Sequence, residues 1–177
     1  MMRPEQPADS YAGENATVPA RLPRERWQHR ELVIWGAHGG AGTSTLATWL
    51  KPAWDMGSMR PEPDPKHPAV VARSRALVVT CRSTAWSTAQ ATKAVAAVIR
   101  QGGQIAVVAV VSDGWPEPST ATNRLRLLGP QAGAVIRIPF VPGLRLADDP
   151  ASVPLPRRAL RALAQIQAAC GRTFPPS

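Results

Sequence analysis

The chain has 177 residues, 44% of them hydrophobic and 19% charged, enough for one domain with a substantial core and too few for a second full one. Its formal charge of +9 is unevenly placed: residues 1 to 75 hold ten basic and eight acidic groups, residues 76 to 177 eleven basic and four acidic. Only three of the 21 basic residues are lysine and the arginines are dispersed, which favours solvated charges over a nucleic-acid or anionic-membrane patch; the two cysteines have no CxxC spacing, which argues against a disulfide scaffold and a zinc site.

Residues 1–28 are polar, proline-bearing and mixed in charge, and are read as a disordered tail. They hold no apolar core of the kind a secretory signal needs, and with unpaired Cys81 and Cys170 this points to the cytoplasm. The folded domain is placed at 29–172, with a short tail at 173–177.

Residues 32–50, "LVIWGAHGGAGTSTLATWL", start as a buried strand, pass through Gly36, Gly39, Gly40 and Gly42, and resume as a helix opened by Thr43, Ser44 and Thr45. Glycine lets the backbone approach a ligand, and the free N–H groups of the first helical turn point at it, so the turn is an anion cradle whose natural occupant is a phosphate. Its glycines and hydroxyls exclude a membrane span. Leu46, Trp49 and Leu50 form the helix's apolar face, and Pro52 ends it. A Pro-rich connector follows at 52–68; its stretch "MRPEPDPKHP" is expected to supply neither strand nor helix.

Order resumes with the apolar strand Ala76 to Cys81, then a helix on which Trp86, Ala94, Val95, Val98 and Ile99 recur at helical spacing, closed by Gly102 and Gly103. A strand at Ile105 to Val111 leads to Ser112 and Asp113, the latter read as a turn initiator before Gly114. A helix from about Thr120 to Leu128 and a strand at Ala134 to Pro139 come next. The last helix, about Pro156 to Cys170, sets Leu160, Leu163, Ile166 and Cys170 against Arg157, Arg158 and Arg161. The alternation predicts an α/β fold, a doubly wound and mostly parallel sheet with helices on both faces, binding ligands at the carboxyl ends of its strands.

A standard phosphate loop reads GxxxxGK(S/T), and a variant reads KGGxGK(S/T)(S/T). "GAHGGAGTSTLA" resembles that variant, the deviant Walker A loop of the ParA/MinD family of P-loop ATPases. "LVVTCRSTAWSTAQATKAVAAVIRQG" and "IRIPFVPGLRLADDPASVPLP" are similar to later segments of the family. The resemblance implies a P-loop NTPase-like, truncated sheet, a nucleotide site at Gly39, Gly40, Ala41, Gly42, Thr43, Ser44 and Thr45, and Ser44 as the magnesium ligand. Both lysine positions depart from the pattern, being His38 and Thr43. Asp55 and Asp64 are the only aspartates in the interval where the family carries its metal and water acids, and neither follows an apolar strand.

Phosphoryl transfer depends on positioned positive charge, so the resemblance implies a pseudo-NTPase that binds ATP or ADP with magnesium weakly or not at all. Its setting would be plasmid or mobile-element partitioning, conjugation or positioning, through a protein partner or a homodimer. Two alternatives stand beside it: a slow ATPase that takes its missing charge from a partner or Arg82, and a basic accessory protein that associates with DNA or an anionic membrane. His38 is read as a solvated loop imidazole. If charge is all the loop lacks, Thr43→Lys restores nucleotide affinity without disturbing the fold.

Overall fold

A computed structural model describes residues 31–58 and 75–173. The tail at 1–28, the proline run at 59–68 with Asp64, and most of the tail at 173–177 lie outside them. Five strands form one all-parallel sheet: β1 (Leu32–Gly36), β2 (Ala53–Ser58), β3 (Ala76–Arg82), β4 (Val107–Val111) and β5 (Val135–Ile138), in the order β2-β1-β3-β4-β5. Four α-helices flank it: α1 (Thr43–Trp49), α2 (Ala85–Arg100), α3 (Ser119–Leu128) and α4 (Arg157–Thr173).

Side chains alternate across a strand, and both faces of this sheet are covered, so the strands read as unbroken apolar runs. Leu32, Ile34, Val78, Val107, Ala109 and Ile138 pack against Leu46 of α1, Leu50 at its end, and Leu163 and Ile166 of α4. Val33, Trp35, Leu77, Val79, Cys81, Val108 and Val110 pack against Ala91, Ala94, Val95 and Val98 of α2 and Leu125 and Leu128 of α3. The sheet is thus doubly wound, as the alternation of elements implies.

One element was not legible. The connector assigned to 52–68 contains a strand, β2, which pairs with β1 from Leu32↔Ala53 to Gly36↔Ser58. Five of its six residues are exposed, so it carries no apolar run to betray it, and Asp55 lies within it opposite Ile34. Three side chains also sit otherwise than their spacing implies: Trp86 and Ile99 stand outside the buried stripe of α2, and Leu160 outside that of α4.

The direction in which strands are added reverses at β1, since β2 lies on one side of it and β3 on the other. At such a switch point the loops after neighbouring strands diverge and leave a crevice at their carboxyl ends. The glycine turn after β1 opens into that edge, beside the loops after β3, β4 and β5.

Candidate functional site

Gly36 to Gly42 turn the chain from β1 into α1, with Gly40 (φ 77°) and Gly42 (φ 92°) in the left-handed region that side chains disfavour. Gly42 caps α1, and the first intrahelical bond runs from Leu46 N–H to Gly42 O (3.0 Å), leaving the N–H groups of Thr43, Ser44 and Thr45 at the mouth of the turn. Gly39, Gly40 and Ser44 are exposed there, whereas Ala41 and Thr43 are buried. The seven residues expected to hold phosphate are therefore contiguous in space, but they do not all face outward.

Thr43, at the first lysine position, points inward: its hydroxyl lies 3.2 Å from that of Thr80, which is fully buried in β3. A Cβ on Gly36 would stand 2.5 Å from Thr43 Oγ1, so glycine is what lets the threonine turn in. His38, at the second lysine position, is not a solvated imidazole. Its Nδ1 donates to the carbonyl of Gly39 (2.7 Å), and a carbonyl only accepts, so Nδ1 carries a hydrogen. Its Nε2 meets the Ser87 hydroxyl, which also accepts the N–H of Arg82 (2.6 Å), and the ring packs edge-on to Trp86. Trp86 and Ser87 open α2, whose cap is Thr84, accepting from Ser87 N–H (3.2 Å). The imidazole thus fastens the glycine turn to the neighbouring helix.

Arg82 adds a third fastening, donating from Nε to the carbonyl of Gly40 (2.8 Å). Three side chains from β3 and α2 therefore hold the turn in place from the protein side. A bound anion would find backbone N–H groups, the weak dipole of a short helix, and no lysine. The Ser44 hydroxyl is exposed, but among the described residues no three of His, Cys, Asp or Glu gather as metal ligands. Asp55 accepts from Gly57 N–H (2.8 Å) and shapes a local bend of β2. These groups suit an anion held by backbone N–H groups.

Beside the turn lies a cavity of about 460 Å³, which the sequence did not announce. Its lining comes from four separate elements: one side of α1, Arg82, the end of β4, and the segment after β5. Asp113 lies in it as the turn initiator it was read to be, its Oδ1 accepting from Trp115 N–H (3.1 Å). Phe140 and Arg145 face each other across 4.8 Å, guanidinium over ring. Nothing in the sequence marked either residue as part of a site, although both lie in the quoted segment that runs on from β5.

No family model, no curated protein and no solved structure matches this chain. The fold and the residues at its carboxyl edge are what carry the functional argument. They define a class, an α/β protein with an all-parallel doubly wound sheet and a glycine turn after its first strand. Among the described residues no helix is long and apolar enough to cross a membrane.

Proposed function

We propose that this protein is a degenerate P-loop protein of ParA/MinD type, a pseudo-NTPase that works by binding partners. One observation carries the reading: the two side chains at the lysine positions are both spent on internal contacts, Thr43 with Thr80 and His38 with Ser87. Phosphoryl transfer without those charges is slowed by about 10³ or more. Partner binding is supported by three large apolar side chains on the loops and helix that follow β3, β4 and β5: Trp86 is 61% exposed, Trp115 76% and Leu146 93%. Exposed tryptophans flanked by arginines are favoured anchors of protein interfaces. By the family resemblance, the processes served are partitioning or positioning of plasmids or other mobile elements, or conjugation, by a cytoplasmic protein.

A slow ATPase activated by a partner is the second reading, favoured by Arg82, whose guanidinium already lies against the glycine turn. Calorimetric titration with ATP and ADP, with and without magnesium, separates the two. The pseudo-enzyme binds with millimolar or undetectable affinity and hydrolyses ATP no faster than its Ser44→Ala variant. Metal-dependent turnover that Ser44→Ala abolishes establishes the slow ATPase instead.

A further inference from the structure

The cavity beside the glycine turn has its own chemistry. Leu46, Ile138 and Val141 are buried and form an apolar floor, with Trp49 as a partly buried wall; Arg82, Trp115 and Arg145 are exposed and form the rim. The volume of about 460 Å³ falls within the range of small-molecule sites, and such sites pair an apolar lining with a few placed polar groups. Arg145 is steadied over Phe140, and its NH2 reaches only weakly toward Asp113 O (3.4 Å), so most of its donors have no partner among the described residues. Arg82 is steadied through Nε by Gly40 O. Asp113 is the single carboxylate of the lining, and it already accepts from Trp115 N–H. Two guanidiniums and one carboxylate leave one net positive charge at the mouth of an apolar hollow.

We infer that this cavity binds an amphipathic organic monoanion, with a flat apolar body on the Leu46–Ile138–Val141 floor and a carboxylate, sulfonate or phosphate monoester at the arginine rim. The ring of Trp115 covers the body from the open side, and Arg145 holds the head. Gly42 and Thr45 border the cavity while Ser44 does not, so the site adjoins the glycine turn without calling on its N–H groups.

The probe is 8-anilinonaphthalene-1-sulfonate, titrated into the full chain and followed by its fluorescence, with uncharged N-phenyl-1-naphthylamine as comparator. The sulfonate should bind saturably at one site, and Arg145→Gln should weaken it by about tenfold, the effect of one lost charge-assisted contact. Trp115→Ala should weaken both compounds. The uncharged comparator should bind about tenfold less well than the sulfonate and ignore Arg145→Gln. Circular dichroism shows that each variant keeps its fold; both altered residues are exposed. Unsaturable binding, equal affinity for the two compounds, or indifference of the sulfonate to Arg145→Gln overturns the assignment, as does its displacement by magnesium–ATP.

Discussion

The hydroxyl of Thr43 lies 3.2 Å from that of Thr80, both side chains are buried, and the pair ties the first turn of α1 to the middle of the sheet. The contact exists because Gly36 lacks a Cβ, which would meet Thr43 Oγ1 at 2.5 Å, His38 O at 3.1 Å and Gly57 O at 3.3 Å. Gly36→Ala should therefore cost about 1–3 kcal/mol by overpacking. Adding Thr43→Ala should recover part of that loss. Urea unfolding of the two single variants and the double variant measures the coupling, and costs that add to within about 0.5 kcal/mol would disprove it.

The same contact changes what restoring the lysine does. A Lys at 43 places an ammonium where a buried hydroxyl stood and strips Thr80 of its partner, so Thr43→Lys should lower stability by about 1–3 kcal/mol or more. The inward orientation of residue 43 argues against an undisturbed fold. Thermal melts beside nucleotide titrations check it, with lower stability and no gain in affinity as the outcome.

Helix α4 offers a contrast within one turn. Leu163 is 2% exposed against the sheet, whereas Leu160 is 38% exposed. Leu163→Ala should cost about 2–5 kcal/mol. Leu160→Ala should cost less than about 1 kcal/mol. Since Leu163 and Ile166 already face the sheet, the folded protein should not float with anionic vesicles. Salt-sensitive flotation lost on removing residues 156–177, with the remaining fold intact, would show that the helix leaves the sheet for lipid.

Cys81 and Cys170 are both buried, and burial pushes each thiol up to about 12, with the carboxylate of Glu117 adding to the rise at Cys81. At pH 8 a thiol of that kind is ionised in roughly one molecule in 10⁴. Ellman's reagent should leave both untouched in the native protein and titrate both in denaturant. Fast reaction of either without denaturant would contradict their packing.

Glu117 is gripped by Arg137 through two hydrogen bonds of 2.8 Å and by the Thr122 hydroxyl (2.7 Å), and the guanidinium above all holds its carboxyl below the usual value of 4.5. A depressed carboxylate stabilises the fold fully above its ordinary pKa and loses that contribution as pH falls through the lower folded value. Melting temperatures measured from neutral pH downward should therefore decline below about pH 4.5, and Glu117→Gln should flatten that decline. Identical slopes for the two proteins would remove the pair from the acid response.

Strands β1, β3 and β4 were legible because burial on both faces leaves an unbroken apolar signature, and the glycine turn because its conformations demand glycine. β2 was not, since an edge strand with both faces exposed has no such signature. His38 illustrates the same boundary. Its docking onto Ser87 joins residues 49 positions apart, a contact made by the fold. Trp86, placed on the buried stripe by its spacing, stands at the surface because small side chains, alanine, valine, Ser87 and Thr88, fill the stripe of α2. The cavity arginines lie at the end of β3 and in the segment after β5, so spacing carries no trace of their meeting.

The first and last helices share one face of the sheet, and this sets the order in which a nascent chain can finish. While α4 is still inside the ribosome, Val78, Ile136 and Ile138 have no cover from it, and the growing protein presents a sticky half-built surface. An all-parallel sheet has no hairpins to form early, since each neighbouring pair must wait for a crossover. Synthesis that stops short of residue 157 would therefore release a species prone to chaperone capture and degradation, because the seventeen residues of α4 close that face of the sheet.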